Sequence, residues 1–476
     1  MTSQTPSIDV QHFIDAQRFS PFQWIVFVLC FLVVAADGFD TAAVGFVAPS
    51  LIDQWHISRA ALGPVMSAAL IGLGIGALLA GPMADRVGRK TVLSVSVACF
   101  GVWSLASVFA TSVASLTVLR LLTGLGLGAA MPNAVTLMAE YSPARARGVI
   151  VNAMFCGFSA GLSIGGLSAS WLIPHVGWPS VFALGGAWPL VLSIVLATVL
   201  PESVQFMVIR KRPAQHVARI LARIAPDKRL LQCHFVANEV REASGGASSL
   251  SMILSPNYRL RTVLLWIAYF MGLVIFYLLT NWLPTLFKDA GFDTRGGALM
   301  TALFPLGGIV GNLCLGWVMD RVNARRAIAW TYLLSAVLVL VIGQRLGGTF
   351  ILGALVFLTG TAVTSSVTSM SAYAASVYPT HARATGVAWM LGIGRMGAVV
   401  GALTGAVLMN LHWPFGAVFS ALAIPAVAAA MALSVRRVFD VGTVRRRDER
   451  TSAHSAPSES VQDLSAIEPA ASSLQG

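Results

Sequence analysis

Twelve long apolar runs divide this chain, and each is long enough to cross a lipid bilayer as a helix. About 20 predominantly apolar residues suffice to span the hydrocarbon core. Charged residues make up 11% of the chain, whereas soluble domains carry about 25%. We therefore predict an all-α membrane protein with spans at 22–48, 60–82, 91–110, 115–138, 148–172, 178–200, 260–284, 296–318, 326–344, 350–374, 384–408 and 413–435.

Polar segments flank and separate two groups of six spans. We predict an N-terminal segment over 1–21, a six-helix bundle over 22–200, a central loop over 201–258, a second six-helix bundle over 259–435 and a disordered tail over 436–476. Within the first segment, residues 7–15 are expected either to form a short amphipathic helix at the membrane surface or to remain unstructured.

Lysine and arginine are distributed unevenly over the two faces that these spans define. Most of the 32 lie on the side of the termini, and cytoplasmic loops carry such an excess. We therefore predict that both termini and the central loop are cytoplasmic. The net charge of +12 then reflects topology and does not favour nucleic acid as a partner. The opposite face holds Arg59, Lys288, Arg295 and Arg345.

Two motifs recur at nearly the same spacing, which indicates duplicated halves. Gly81–Val87 parallels Gly316–Val322, and residues 144–148 parallel residues 382–386. Halves with an even number of spans run parallel in the membrane. Such folds place the substrate near the midplane between the halves and work by rocking one half against the other.

Four ionisable residues lie inside spans, where such groups are costly and usually line a pathway: Asp37, Asp40, Arg120 and Arg395. The two acids share roughly one face of span 1. Their depths allow either acid to pair with Arg120. A carboxylate whose surroundings change during transport can carry a proton. We predict proton coupling by Asp37, Asp40 and Arg120, with Asp37 ahead as the carrier; the alternative is an ion pair that only fixes helix packing.

Arg395 lies about eleven residues into span 11, near the middle of the membrane. Its guanidinium suits a substrate carboxylate, and the alternative is a pair with an acid of span 1. Aromatic side chains can stack on a ring or simply pack. The hydroxyl-rich span 10 is expected to form a wet cavity wall. The further predicted substrate-binding residues are Tyr277, Asn281, Trp282, Asn133 and Asn152.

The loop after span 2, from Gly81 to Lys90, predicts a conformational latch that is separate from substrate binding. Asp85 can pair with basic residues or with a helix N-terminus. Gly81 and Gly88 permit close packing and a tight turn. The latch residues predicted from this motif, its second copy and the adjacent end of span 4 are Gly81, Asp85, Arg86, Gly88, Arg89, Glu140, Asp320 and Arg321.

The latch motif, its second copy and the stretch from Asp37 to Ala43 together resemble the aromatic acid:proton symporters of the major facilitator superfamily. The resemblance runs over almost the whole chain. It implies the major facilitator fold, with twelve helices in two halves, and import of an aromatic carboxylate with protons across a bacterial inner membrane. It implies 4-hydroxybenzoate or protocatechuate as substrate. In this family the residues linked to transport correspond to Asp37, Asp40, Asp85, Arg120, Glu140, Arg395 and a further latch residue, Arg383.

No catalytic triad, metal cluster or phosphate loop is evident in the sequence. We therefore expect no enzymatic activity and no cofactor or metal, with transport driven by the proton gradient. The expected partners are the aromatic acid, protons and the bilayer, and the expected working unit is a monomer. The alternatives are transport of another organic anion (benzoate, hydroxyphenylpropionate, gallate or muconate), export of a drug, or a receptor that binds the acid without moving it.

Overall fold

The computed structural model describes residues 7–225, 234–236, 251–256, 258–319, 321–344, 348–378 and 380–435. Within this part of the chain, twelve helices are long and apolar enough to cross a membrane. The chain is therefore a multi-pass membrane protein, as predicted. The predicted tail from residue 436 onward lies outside the described residues.

The first half contains spans 1 to 6. Span 1 continues through Pro49 to Trp55, beyond the predicted end, and it stops where His56 adopts a left-handed conformation with φ of 49°. A hydropathy pattern ends at the first polar residues, whereas the helical hydrogen bonds continue past them. The bounds are Pro21–Trp55, Arg59–Val87, Arg89–Phe109, Val113–Tyr141, Arg147–Val176 and Pro179–Val199.

The second half contains spans 7 to 12. Its helices agree with the predicted runs within about five residues at each end, an error typical of boundaries read from sequence. Their bounds are Arg259–Asp289, Thr294–Met319, Ala324–Gly343, Thr349–Val377, Thr380–Asn410 and Phe415–Ser434.

Glycine brings the helices of each half into backbone contact in corresponding places. Spans 2 and 4 approach so closely that a Cβ on Gly72 would lie 2.1 Å from the carbonyl oxygen of Leu121. The equivalent spans 8 and 10 meet in the same way, since a Cβ on Gly307 would lie 1.9 Å from the oxygen of Phe357. Small residues allow this approach between membrane helices. The duplication seen in the sequence is therefore repeated in the packing.

The two halves meet at mid-depth and toward the face opposite the termini, which we call the outer face after its predicted orientation. Span 1 contacts span 7, span 2 contacts span 11, and span 5 contacts span 8. At the first contact, a Cβ on Gly45 would lie 2.7 Å from the carbonyl oxygen of Thr280 and 2.8 Å from that of Asn281. No side chain larger than hydrogen fits there, so this contact closes the outer side of the interface.

A small folded layer covers the termini-side end of the first half, and we call it the cap. It comprises strand β1 (Ser7–Asp9), paired in parallel with β2 (His234–Val236), and the helices Val10–Ala16, Val204–Ile209 and Ala214–Ile224. Its apolar side chains join the core of the first half.

The cap was only partly predicted. A short helix was one of the two expectations for the N-terminal segment, whereas residues 201–258 were predicted only as a central loop. The helix Ala214–Ile224 buries Val217, Leu221 and Ile224 against the bundle and exposes Arg219. The described part of the central segment is thus anchored by an amphipathic face.

Candidate functional site

Asp40 and Arg120 form a buried ion pair in the first half. The Arg120 Nη1 atom lies 3.0 Å from Oδ1 and 3.2 Å from Oδ2 of Asp40. The Ser104 hydroxyl donates to Asp40 Oδ1 at 2.8 Å. Both charged side chains are fully enclosed, with 1% and 0% of their surface exposed. Of the two acids whose depth allowed a pair with Arg120, Asp40 is therefore the one in contact.

Arg120 also makes contacts beyond the acid. Its Nη2 atom donates to the hydroxyls of Ser107 at 2.8 Å and Thr123 at 3.1 Å. The guanidinium carbon lies 4.6 Å from the ring centroid of Phe182. Together these contacts join spans 1, 3, 4 and 6, so the pair links four of the six spans of the first half.

Asp37 lies one turn earlier on span 1 and has a different environment. It is 3% exposed, and its one described hydrogen bond is a long one, 3.5 Å, from the Thr41 hydroxyl. No ion pair to Asp37 is formed within 4.0 Å in the described part of the chain. It instead lies within electrostatic range of Arg395, which belongs to the other half.

Arg395 projects from span 11 into the region between the halves. Its Nη1 atom is buried and has no hydrogen-bond partner among the described residues. Tyr269 and Tyr277 of span 7 both lie within electrostatic range of the guanidinium. A buried donor without a partner is costly. The position is therefore suited to an anion that enters the interface.

Aromatic rings surround this region at mid-depth. Phe276 of span 7 lies 6.3 Å from Phe158 of span 5 and 5.9 Å from Phe304 of span 8, measured between ring centroids. Its neighbour Tyr277 packs edge-on against it at 5.3 Å. Rings from both halves thus provide an apolar, polarisable surface beside Arg395 and Asp37.

A cavity of about 20 Å³ lies between span 1, spans 2 and 4, and span 7. That volume accommodates about one water molecule, so an aromatic acid requires the cavity to widen. Tyr277 and Asn281, two of the predicted substrate-binding residues, line it. Its full lining is Asp40, Thr41, Val44, Met66, Ala69, Leu70, Leu73, Leu127, Tyr277 and Asn281.

Three residues predicted to bind substrate lie elsewhere. Trp282 is fully buried between spans 7 and 11, where its indole nitrogen donates to the Ala402 carbonyl at 2.9 Å. Asn133 donates to the Ala129 carbonyl of its own helix at 2.8 Å. Asn152 is exposed near the termini-side end of span 5. None of the three lines the cavity, and Arg395 is not among its lining residues either.

The wet wall expected from the hydroxyls of span 10 is also absent from this cavity. Ser365, Ser366 and Thr368 each donate to the carbonyl four residues earlier in the same helix. Short hydroxyl side chains commonly satisfy themselves in this way. The number of hydroxyl residues in span 10 therefore overestimates the polarity that this helix presents to the cavity.

In the predicted latch, Gly88 makes the tight turn and Glu202 fills the space beside it. Gly88 has φ of 103°, and a Cβ there would lie 2.2 Å from Glu202 Oε2. Glu202 accepts hydrogen bonds from the backbone nitrogens of Lys90 at 3.1 Å and Ser203 at 2.9 Å. The carboxylate thereby caps the N-terminus of span 3. Sequence reasoning did not predict a latch role for Glu202. The feature that could have indicated it is the position of this acid directly after the last span of the first half.

The charged latch residues form a network within the first half and the cap. Asp85 pairs with Arg89 at 2.5 Å, and Arg89 lies 4.0 Å from Glu140. Arg210, which directly follows the cap helix Val204–Ile209, donates to the Asp85 carbonyl at 2.6 Å. The predicted association of Asp85 with basic residues is thus seen.

Within the part of the chain that the structure describes, Gly81, Arg86 and Arg321 show no such association. A Cβ on Gly81 would meet nothing within 4 Å, so the close packing predicted there is wrong. Arg86 is exposed. Arg321 stacks on the Trp317 ring at 3.6 Å. Asp320 and the side chain of Arg383 lie outside the described residues.

Two ion pairs join the halves at the outer face, and the sequence reasoning did not predict them. Arg59, at the start of span 2, contacts Asp289 at 2.6 Å. Lys288, beside it on span 7, contacts Asp53 near the end of span 1. We call these four residues the outer pairs. The sequence offers one indication of them: Arg59 and Lys288, two of the four predicted outer cations, each have an aspartate close by in the sequence, Asp53 and Asp289.

Comparisons with known proteins agree with this architecture. The sequence model of the Major Facilitator Superfamily matches residues 30–302 and 295–467. The 4-hydroxybenzoate transporter PcaK of Pseudomonas aeruginosa is 49% identical over 90% of this chain and 96% of its own length. A gallate transporter of Pseudomonas putida is 45% identical over 90% and 94%.

Solved structures show the same fold at low sequence identity. The xylose transporter XylE from E. coli, in an inward open conformation, is similar with a TM-score of 0.69 and 16% identity, over 86% of this chain and 95% of that one. At this identity the likeness concerns the arrangement of the helices alone.

Proposed function

Because this chain belongs to the major facilitator superfamily of secondary transporters, we propose that it imports an aromatic carboxylate together with protons, with 4-hydroxybenzoate as the expected substrate. The resemblance noted in the sequence to the aromatic acid:proton symporters agrees with the relatives, which are named as transporters of such acids. A secondary transporter of this kind carries out no covalent chemistry, and the proton gradient takes the place of a cofactor.

The observation that carries the substrate class is the unpartnered Nη1 atom of Arg395 in the buried interface between the halves. A guanidinium presents donors in a fixed fork that matches a carboxylate. Phe276 and Tyr277 lie in the same region and can pack on the ring of the substrate. An acid bound there would satisfy the orphan donor and bury its apolar ring at the same time.

The face that bears the termini is assigned to the cytoplasm, because most of the lysines and arginines lie in its loops. The outer pairs then lie on the side from which the substrate arrives. We place the protein in a bacterial inner membrane, where an inward proton gradient can drive accumulation. We propose a monomer as the working unit, since the two halves of a single chain enclose the site.

The direct test is uptake of radiolabelled 4-hydroxybenzoate into proteoliposomes with an inward proton gradient. We expect accumulation that disappears when an ionophore collapses the gradient. Arg395→Gln should abolish it, whereas the matched Arg295→Gln, at an exposed arginine on the outer face, should not. No uptake by folded, correctly inserted protein would overturn the proposal.

The alternative substrates are distinguished in the same vesicles. Unlabelled gallate, protocatechuate and benzoate are added as competitors, because one relative is named for gallate and another for benzoate. Stronger competition by one of these than by 4-hydroxybenzoate itself would reassign the substrate. Binding without entry of label into the lumen would indicate a receptor.

A further inference from the structure

We propose that Asp37 and Arg395 form the coupling pair of the transporter, in which the substrate carboxylate and Asp37 compete for the Arg395 guanidinium, so that each acid binds together with one proton taken up by Asp37. The inference rests on the proposed function and extends it to the stoichiometry and to the residue that carries the proton. It assigns different roles to Asp37 and Asp40, which lie three residues apart on span 1.

Asp40 is already committed to a partner within its own half. Its carboxylate accepts from Arg120 and from Ser104 at hydrogen-bonding distance. All of these residues lie within the first half, which moves as one body when the halves rock. The groups that hold the Asp40 carboxylate therefore move with it during the transport cycle, although Asp40 also lines the cavity that Tyr277 and Asn281 border from the second half.

Asp37 forms no such ion pair in the described part of the chain. The groups that face it come from three elements: Asp40 on its own span, Tyr277 on span 7 and Arg395 on span 11. The cation among them belongs to the opposite half, so rocking of the halves alters its distance from Asp37. Asp37 is therefore the acid whose surroundings depend on conformation and on what occupies the interface.

The glycine contacts place the two side chains at similar depth. Gly45 lies against the backbone of Thr280, and Asp37 is eight residues, or about 12 Å, deeper on span 1. Gly397 lies against the backbone of Phe270, which places Arg395 about 18 Å deeper than Thr280. The Cα atoms thus differ in depth by about 6 Å, an axial offset within the length of an arginine side chain.

Charge balance then couples the two ligands. In the empty transporter, ionised Asp37 and Arg395 neutralise each other. A carboxylate bound to Arg395 leaves one net negative charge in the apolar interior, which is costly, and a proton on Asp37 restores neutrality. The empty carrier and the carrier loaded with both ligands are neutral and can change conformation. The forms loaded with only one ligand are charged and are disfavoured.

The test counts protons by isothermal titration calorimetry of 4-hydroxybenzoate binding in buffers of different ionisation enthalpy. Wild-type protein should take up about one proton per acid bound at a pH where free Asp37 is ionised. Asp37→Asn should still bind the acid with a proton uptake near zero. Asp53→Asn, the same substitution at an acid of the outer pairs, should behave as wild type.

Each outcome bears on the inference. Undiminished proton uptake by Asp37→Asn, or binding by wild type without proton uptake, would overturn the coupling pair while leaving aromatic acid transport intact. Failure of folded wild type to bind any acid of the panel would overturn the proposed function and this inference with it. If Asp37→Asn does not fold, the apparent affinity of wild type should weaken about tenfold per pH unit above the titration of Asp37, and a flat profile would contradict the inference.

Discussion

Two aspartates on one helical face of span 1 have different environments because different helices pack against them. Asp40 faces span 3 and span 4, where Ser104 and Arg120 hold its carboxylate. Asp37 faces the gap between the halves. A rotation of about 60° between positions three apart on a helix is enough to direct them toward different neighbours.

Removing the charge of Asp40 should mainly destabilise the fold. Asp40→Asn leaves Arg120 as a buried cation without a charged partner, and breaking a buried pair costs about 3–5 kcal/mol. We expect a clear fall in the temperature at which the detergent-solubilised protein loses its monodisperse chromatographic peak.

The double variant Asp40→Leu/Arg120→Met serves as the control. It replaces both charges by apolar groups and should recover much of the lost stability. Asp37→Asn should lower the temperature less than Asp40→Asn does, because no ion pair is broken. An equal or larger loss for Asp37→Asn would contradict this distinction.

At this scale the sequence predicts which ionisable residues lie in the membrane, because charges stand out in apolar runs. It does not predict their partners. Nothing in the sequence indicates that Ser104 contacts Asp40. Trp282 is an aromatic residue of the kind that can stack on a substrate ring, but it packs between spans 7 and 11. Partners depend on helix rotation and tilt, which the order of residues along one helix does not determine.

Among the helices, the contact of span 1 with span 7 limits how far the outer side can close. Gly45→Val places a side chain against two backbone carbonyls that cannot rotate away. Overpacking costs about 1–3 kcal/mol, so the equilibrium constant for closing the outer side should fall about fivefold to 150-fold. Uptake should fall accordingly.

The measurement is the reaction rate of a cysteine placed at Leu70, which lines the cavity from span 2, with an impermeant maleimide added from outside. Gly45→Val should accelerate labelling. Gly74→Val is the matched control, since a Cβ at Gly74 meets nothing within 4 Å. Equal labelling of the two variants would mean that Gly45 is not a point of closure.

The helices are the part of the fold that sequence predicts best, because the length of an apolar run is a local property. The cap was largely missed for the opposite reason. Its elements are short, and β1 pairs with a strand 227 positions away. No local sequence pattern therefore indicates the pairing. The outer pairs are likewise formed by residues far apart in sequence, such as Arg59 and Asp289.

Considered as a whole, the molecule divides into bodies that should move as units. Gln205 of the cap donates to Gln11 at 3.0 Å, within the body formed by the first half and the cap. The outer pairs instead bridge the two halves. Linking two points of one body should leave transport intact, whereas linking the two halves should stop it.

We therefore predict opposite effects of two cysteine crosslinks, introduced where the five native cysteines are replaced by serine. A short, reducible bridging reagent between positions 11 and 205 should not change uptake into vesicles. The same reagent between positions 59 and 289 should abolish it, and reduction should restore it. Inhibition by the first crosslink would show that the two cap helices Val10–Ala16 and Val204–Ile209 must move relative to each other during transport.

The strand pairing in the cap has a consequence for how the chain is made. When Ser7–Asp9 leaves the ribosome, its partner His234–Val236 has not been synthesised, and six hydrophobic segments must enter the membrane before the two strands can meet. They can pair only if both are on the same side of the bilayer. A first half inserted with one segment left out would leave its strands on opposite sides, so the small sheet can form only when an even number of segments has been inserted.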